Sequence, residues 1–451
     1  NHHDYTLFCE YRGMDTGRAT VLVLVVLLST SLLAGVAYSS GSVQETTTTD
    51  ERYTLFGVQA DGWFGYNNGY AAVVDESGNT VWNWSVPNSR VFDTEQLENG
   101  NILTSVAVSV PQSECPTHYQ EDQYDRPCVE NRVVEVDYET KDVVWEYSWF
   151  DAFPNHHEVH DADRLESGET AIADMGNHRA FTVDQSGTIT WEWNASDHIS
   201  RGTEWFDEHV PEGSEEEFAR SGPESDWTHL NDIDHLENGN FLLSVRNYDV
   251  TLEVARNETI VETYGEPGNH SIMNEQHNPN LLENTGTLVV ADSGNDRIVE
   301  INATTEAVIS EYGSVPTDSN VGDPSLRWPR DADRLPNGNT LITDSRRFRI
   351  LEVAPNGTVV WSHLRQEERS LVYEADRIRL DDEYLPEEPS VADTDGTLVT
   401  RTNSPLTDLY ATLDSYLAFV PFLPTWLGPL PLLVAIGDLG AGLLLVREIR
   451  R

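Results

Sequence analysis

The 451-residue chain carries 77 acidic against 28 basic residues, a formal net charge of −49 at pH 7. Such a charge repels nucleic acid and argues against a nucleic-acid-binding role. The 12 Trp, 17 Tyr and 13 Phe are ample material for hydrophobic cores and argue against a disordered chain. We interpret the acidity as adaptation to high salt, where electrostatic screening removes most of the repulsion within the protein.

The N-terminal region predicts a membrane anchor. Residues 1–18 are polar and are expected in the cytoplasm; Met14 marks an alternative start, which would make residues 1–13 an extension without a structural role. Residues 19–38 form a nearly uninterrupted apolar run, preceded by arginines. A run of that length spans a bilayer, so a transmembrane signal anchor is favoured over a cleaved signal. Residues 39–50 are rich in serine and threonine and form a flexible linker.

A second membrane segment is predicted near the other end. Residues 404–415 form a linker, residues 416–446 are largely apolar, and residues 447–451 are a basic tail. The apolar segment is long enough for a short span, with a hydrophobic segment lying in the membrane interface as the alternative. Arginines flank both apolar segments on their outer sides. The positive-inside tendency therefore predicts a cell-membrane protein with both termini in the cytoplasm and residues 51–403 outside it.

Residues 51–403 carry an internal repeat. A turn followed by β-branched residues and an aromatic pair, or a variant of that phrase, occurs at 77–84, 140–147, 186–193, 257–264, 304–312 and 356–363. Most copies follow another strand-like run and, before it, a leucine with a turn of the Asn-Gly type. Each unit is therefore expected to form a four-stranded antiparallel meander. The uninterrupted units are close to the ~40–50-residue period of propeller blades.

The repeat predicts an all-β fold, a six-bladed β-propeller of four-stranded blades over residues 51–403. Residues 373–380 are expected to supply a degenerate first strand of the last blade. Strands at 53–58 and 71–74 are expected to close the ring. Five or seven blades are the alternatives.

Two insertions lengthen the repeat, at 111–128 and 198–226. The first contains Cys115 and Cys128, which would form a disulfide in an oxidising compartment and would otherwise be free thiols. No CxxC pair or zinc-type spacing is present in the sequence, so no metal site is predicted.

One residue in each of five units stands five positions before the leucine. These residues are Phe92, His160, Asn231, His277 and Arg330. Since the first strand of each blade lines the central channel, we expect their side chains to converge near the axis. Strand alternation turns Glu158, His229 and Trp328, two residues earlier, toward the same place. Arg246 ends the strand after the turn in the third unit, and such arginine and imidazole donors suit a tetrahedral oxyanion such as sulfate.

Other polar residues of the same strands have simpler interpretations. Aspartates recur at fixed offsets and are interpreted as acceptors of turn or inter-strand hydrogen bonds: Asp161, Asp163, Asp232, Asp234, Asp331 and Asp333. His156, His157 and His160 fit a polar channel lining or a metal-ligand set as well as a sulfate pocket.

Three short islands carry a family resemblance. WTHLND (227–232) with LLSVRN (242–247), EQHNPN (275–280) and HDADRLESG (160–168) resemble motifs of the arylsulfate sulfotransferases that do not use the nucleotide sulfate donor. That family has a six-bladed propeller fold, in agreement with the blade count above. Together with the acidic composition, the resemblance indicates a haloarchaeal-type member.

The resemblance implies a mechanism and its residues. His277 would be the nucleophile that becomes transiently sulfated, with His229, Asn231 and Arg246 on the sulfuryl oxygens and His160 lining the same pocket. Arg330 is included as a sulfate-binding candidate from its place in the repeat, although it matches no family contact. The partners would be an aryl sulfate donor and a phenolic or other hydroxyl acceptor, and no metal or organic cofactor is expected. The imidazole would attack sulfur and a phenolate would leave.

Two other functions are compatible with a propeller. One is a metal-dependent lactonase or esterase, which would need several carboxylate or Asn ligands at the channel. The other is a non-catalytic propeller that binds a ligand or assembles at the cell surface, in which replacing His277 would be silent.

Overall fold

A computed structural model describes residues 52–378, apart from 62–67, 122–125, 220–224, 314–324 and 366–369. The predicted membrane segments at 19–38 and 416–446, with their linkers and tails, lie outside the described residues. Within the described part of the chain, no helix has the length and apolar character needed to cross a membrane.

The described residues form 24 strands. The first twelve are β1 (Tyr53–Asp61), β2 (Tyr70–Val74), β3 (Thr80–Ser85), β4 (Ser89–Gln96), β5 (Ile102–Val110), β6 (Cys128–Val136), β7 (Val143–Asp151), β8 (Val159–Arg164), β9 (Thr170–Asp174), β10 (Arg179–Val183), β11 (Ile189–Asn194) and β12 (Leu230–His235). The others are β13 (Phe241–Val245), β14 (Val250–Val254), β15 (Ile260–Tyr264), β16 (His277–Leu282), β17 (Thr287–Asp292), β18 (Arg297–Asn302), β19 (Val308–Tyr312), β20 (Pro329–Arg334), β21 (Thr340–Asp344), β22 (Arg349–Val353), β23 (Val359–Leu364) and β24 (Ser370–Ile378).

Helical structure in the same residues is short. Two α-helices, α1 (Ala195–His198) and α2 (Glu204–His209), lie in the second insertion. Five 3₁₀ helices occur at Gln112–Glu114, Thr117–Tyr119, Arg246–Tyr248, Ser293–Asn295 and Ser345–Arg347. The last three follow directly after the second strand of their blades, which becomes important at the site.

The strands form six antiparallel sheets of four, which confirms the six-bladed propeller. Blades 1 to 5 are the consecutive groups β4–β7, β8–β11, β12–β15, β16–β19 and β20–β23. Blade 6 has the order β24-β1-β2-β3, so its innermost strand comes from the other end of the domain. The predicted ring closure is therefore confirmed, with the closing strand at Ser370–Ile378 rather than beginning at residue 373.

Hydrophobic clusters fill the space between neighbouring blades, and the repeated aromatic residues belong to them. Trp191 of blade 2 stacks on Phe241 of blade 3, with ring centroids 4.4 Å apart. The second insertion adds to the same cluster through Trp205, Phe206 and Phe218, all buried. These contacts fix the end of the insertion against blade 3, just before the strand that carries Asn231.

The first insertion is closed by a disulfide between Cys115 and Cys128, whose Cα atoms are 6.0 Å apart. Both cysteines are buried. Of the two states left open by the sequence, the structure contains the disulfide.

Candidate active site

A register shift interrupts the innermost strand of each blade close to its channel residue. In blade 2, Val159 pairs with Asp174 and Asp161 with Ala173, which leaves His160 without a pairing partner in the ladder. In blades 1, 3, 5 and 6 the register shifts include Phe92, Asn231, Arg330 and Tyr373. In blade 4 the shift follows His277, which itself pairs with Ala291. Bulges redirect side chains, and here they give each blade one residue at the channel.

Tyr373 lies in the middle of these residues. Its ring centroid is 5.2 Å from that of Phe92, 5.4 Å from that of His160 and 6.1 Å from that of His277. The guanidinium carbon of Arg330 lies 5.0 Å from the same centroid. The structure thus brings residues from four blades around one tyrosine of blade 6.

His229 and Trp328, each two positions before a channel residue, also lie at the pocket, but strand alternation is not the reason. His229 and Trp328 precede their strands, so strand alternation does not orient them. Instead, His229, Glu275 and Trp328 have positive φ values of 47°, 49° and 49°. Non-glycine residues in this region cost free energy and occur mostly at functional sites. The His229 ring lies 5.4 Å from that of His160, and the Trp328 ring 6.2 Å from that of His277.

His277 is held in one tautomer. Its Nδ1 lies 2.8 Å from Ser293 Oγ and 3.1 Å from the carbonyl oxygen of Glu275. The Ser293 hydroxyl donates to the carbonyl oxygen of Pro329 at 2.5 Å, so its oxygen is an acceptor toward His277. Since both neighbours accept, Nδ1 carries the hydrogen, and Nε2 of the neutral ring keeps its lone pair.

The surroundings of His277 keep the ring neutral. The side chain is 2 % exposed. Burial, followed by the positive charges of Arg330 and Arg246, holds the pKa of His277 well below its ordinary value. At neutral pH the imidazole is therefore unprotonated, with the lone pair of Nε2 available.

Asp226 orients His229. Its Oδ2 accepts from His229 Nδ1 at 2.5 Å and also lies 3.0 Å from Nδ1 of His156. Although burial opposes ionisation, the charge of His229 and the two hydrogen bonds hold the pKa of Asp226 below its ordinary value. Asp226 is itself fixed to the 3₁₀ helix after β13, because Asn247 Nδ2 donates to its carbonyl oxygen at 2.6 Å.

Three arginines make the pocket positive in a strongly acidic protein. Arg330 is 5 % exposed and donates to Gln59 Oε1 at 2.7 Å, and burial lowers its pKa to about 10. Arg246 pairs with Glu275 at 2.9 Å, and its guanidinium carbon lies 5.7 Å from the Trp328 ring centroid. Arg346 lies 3.9 Å from the same centroid, and burial lowers its pKa to about 9. Desolvated guanidinium groups at this density suit an anion with several oxygens.

The other two predicted residues are also at this place. Asn231 is fully buried and donates from Nδ2 to the carbonyl oxygen of Gln276 at 2.9 Å, so it braces blade 3 against the strand of His277. His160 is 5 % exposed, and its Nδ1 lies 3.3 Å from the carbonyl oxygen of Glu158. Burial and the charge of His229 hold the pKa of His160 well below its ordinary value.

Sequence reasoning missed Tyr373 and Arg346, although both leave a signal. Ile378 follows Tyr373 by five residues, in the place that leucine takes in the other blades. Arg346 is the second residue of the 3₁₀ helix after β21, and the equivalent helices of blades 3 and 4 begin with Arg246 and Ser293.

The group of residues that could hold a metal ion shares only His156 with the three histidines that the sequence offered as alternative ligands. Among the described residues, His156, Asp226 and His229 offer ligand atoms within 4.8 Å of one another. His157 instead lies 3.0 Å from Asp151.

Fold and pocket define a six-bladed propeller with a buried, positively charged site around a neutral histidine. The family model for arylsulfotransferases (ASST) matches residues 42–285. As the match covers more than half of the chain, the protein belongs to the arylsulfotransferase family. The matched range includes His160, His229 and His277 and ends before Arg330.

Comparisons with other proteins add little to this. No curated protein matches the chain. Similar solved structures include a protein of unknown function from Bacteroides caccae, with a TM-score of 0.49 and 15% identity over 73% of this chain and 100% of that one. Another is the periplasmic gluconolactonase PpgL of Pseudomonas aeruginosa, with a TM-score of 0.43 and 10% identity over 74% and 100%. At these values the likeness carries no argument about function.

Proposed function

We propose that the protein transfers a sulfuryl group from an aryl sulfate ester to a phenolic or other hydroxyl acceptor, through a sulfohistidine at His277. The observation that carries the proposal is the fixed tautomer of this buried, neutral ring, in a pocket with three guanidinium groups. Family membership supports sulfotransferase activity in general. The residues, the donor and the acceptor are our inference.

In the first step, His277 Nε2 attacks sulfur and the bond from sulfur to the aryl oxygen breaks. The phenolate leaves with the electron pair, and the sulfated imidazole becomes a cation. The hydrogen stays on Nδ1 and keeps its hydrogen bonds to Ser293 Oγ and the Glu275 carbonyl oxygen, both of which stabilise the developing charge. Arg246, Arg330, His229 and Asn231 are the proposed partners of the sulfuryl oxygens, whose contacts matter most in the transition state.

In the second step, the acceptor hydroxyl attacks sulfur, the bond from sulfur to Nε2 breaks, and the hydroxyl proton is released. His160 can take this proton, because its Nδ1 faces the Glu158 carbonyl and its Nε2 is an acceptor in the neutral ring. His160 then releases the proton to solvent, and the enzyme returns to its starting state without a metal or an organic cofactor.

The proposal extends to location. A disulfide between Cys115 and Cys128 is typical of proteins outside the cytoplasm. The apolar segments at 19–38 and 416–446, with their outer arginines, support a membrane-bound protein with an external propeller. The acidic composition supports a high-salt habitat.

Turnover of 4-nitrophenyl sulfate with phenol in high salt tests the activity. Incubation with donor alone, followed by a basic quench and peptide mass spectrometry, tests the intermediate. We expect one added sulfuryl group on the peptide that contains residue 277 and its disappearance when phenol is added. Turnover without any sulfated peptide in rapidly quenched samples would contradict the covalent route.

The pH dependence follows from the lowered pKa of His277. A nucleophile must be unprotonated, so activity falls only below its pKa. We expect kcat/KM for 4-nitrophenyl sulfate to stay level as the pH falls through about 6.5, the ordinary histidine value, with the acid limb lying lower. Initial rates measured between about pH 5 and pH 8 locate the acid limb. A midpoint at or above the ordinary value would show that the ring is not protected from protonation.

The Ser293→Ala variant tests the tautomer. Without the hydroxyl, the Glu275 carbonyl at 3.1 Å is the remaining partner of Nδ1 among the described residues, so the ring is held less firmly. We expect kcat to fall on the order of 10- to 100-fold. The Ser293→Thr variant keeps a hydroxyl and is expected to recover part of the loss. Equal activity in the alanine variant and the wild type would contradict the positioning role.

One observation favours a second function, a metal-dependent hydrolase, since His156, Asp226 and His229 could hold an ion. This function predicts hydrolysis of lactones or esters that EDTA abolishes and zinc or manganese restores. Sulfuryl transfer that is insensitive to EDTA would dismiss it.

A further inference from the structure

A ring of carboxyl groups lies directly beside the pocket residues. In five of the six innermost strands the residue after the bulge position is acidic: Asp93, Asp161, Asp232, Asp331 and Glu374. The sixth, in blade 4, is Asn278. Asp93, Asp161 and Glu374 offer oxygens that all lie within 4.8 Å of one another.

Three of these acids connect each blade to the next. Asp93 accepts from the backbone N–H of Ala162 at 3.2 Å, and Asp161 from that of Ile233 at 2.6 Å. Asp331 accepts from the N–H of Ala375 at 3.1 Å. The predicted role of Asp161 and Asp331 as inter-strand acceptors is therefore confirmed. Each of these three acids accepts from the residue two positions after the channel residue of the following blade.

Asp232 breaks this rule for a reason visible in the sequence. The residue that would donate to it in blade 4 is Pro279, which has no N–H. Asp232 is 7 % exposed, and its Oδ2 has no hydrogen-bond partner among the described residues. A buried carboxylate without a partner is costly unless a cation or a proton neutralises it.

We propose that Asp93, Asp161 and Glu374 bind a calcium ion between the innermost strands of the propeller, and that this ion neutralises the neighbouring Asp232. The ligands are all oxygen atoms, which hard cations prefer, and calcium tolerates the irregular geometry that such a ring offers. Calcium–oxygen bonds of about 2.3–2.6 Å allow two ligands to be up to about 5 Å apart. The spacing of 4.8 Å or less within the triad meets that limit.

The electrostatics agree with a missing positive charge. Burial, followed by the charge of Asp161, raises the pKa of Asp232 well above its ordinary value. Burial likewise raises the pKa of Asp161 to about 7 and that of Asp331 to about 8. A calcium ion would ionise these groups together and would offset the negative charge beside a pocket built for an anion.

The test is a calcium titration of the full chain. The protein is treated with EDTA, dialysed into sodium chloride buffer without chelator, and titrated with calcium chloride by calorimetry, with thermal unfolding in parallel. We expect one ion per chain and a Tm that rises with calcium concentration, since a ligand of the folded state stabilises it. The titration measures binding and unfolding alone, so it stands whether or not the chain transfers sulfate.

Two variants assign the site. Asp232→Asn keeps the shape and removes the charge without a partner, and we expect at least a tenfold loss of calcium affinity. Asp142→Asn makes the same change at an exposed position of the turn before β7 and is expected to bind as the wild type does. Should Asp232→Asn fail to fold, Glu374→Gln replaces it in the same titration.

Either of two results would overturn the proposal. One is a wild-type protein that shows no heat of calcium binding and no change in Tm, which would mean that protons neutralise the acids. The other is a ring variant that binds calcium as tightly as the wild type.

Discussion

The His277→Ala variant is expected to lose sulfuryl transfer by at least about 10³-fold, because it removes the atom that forms the covalent intermediate. Arg246, Arg330 and His229 would still bind an aryl sulfate, so the loss should fall on kcat. The measurement is the initial rate of 4-nitrophenol release with phenol as acceptor, together with the mass of the peptide containing residue 277.

A matched control is His118→Ala, which removes an exposed histidine from the disulfide-closed insertion. We expect wild-type rates from it. Turnover by His277→Ala within tenfold of the control would remove the sulfohistidine from the mechanism. The shape-preserving His277→Asn variant guards against a loss caused by misfolding, since its Tm can be compared with that of the wild type.

The Arg330→Met variant is expected to show the second-largest effect. Arg330 is buried beside Tyr373 and is the leading charged cause, after burial, of the lowered His277 pKa. Its loss removes a donor and a positive charge from the proposed sulfate pocket. We expect kcat/KM to fall on the order of 10²- to 10³-fold.

The same substitution should change the pH profile in a defined direction. A nearby positive charge lowers the pKa of an imidazole, so removing it raises that pKa toward its ordinary value. The acid limb of kcat/KM should therefore move to higher pH. Arg201→Met, at an exposed arginine of the second insertion, is the control and should leave the limb in place. A rate loss without a shift of the limb would mean that Arg330 does not set the pKa of His277.

The blade count could be predicted from the sequence because each blade repeats the same local events. Every unit needs a turn with Asn, Gly or Asp, alternating apolar residues and an aromatic pair, and those requirements are visible one residue at a time. Blade 6 was predictable only in outline, because its strands come from opposite ends of the domain and Ile378 replaces the usual leucine.

The pocket was predictable as a list of positions and not as a geometry. The side chains of a regular strand alternate with a period of two, and that pattern does not predict a bulge such as the one at Asn231. The same pattern does not predict the left-handed backbone of His229 or Trp328, because this conformation comes from long-range packing rather than residue preference. The tautomer of His277 depends on Ser293 and Pro329, which only the fold brings together.

The way in which the ring closes also sets when the protein can act. Leu55 pairs with Asp376, so blade 6 cannot form until the last described strand, β24, has paired with the first, β1. A growing chain already holds His229 and His277 while Tyr373 has yet to be synthesised. Contacts between such distant parts of a chain form slowly, because a long loop must close first. Catalytic competence should therefore appear late and all at once, after synthesis of the domain is complete, and a partly made chain would not consume sulfate esters.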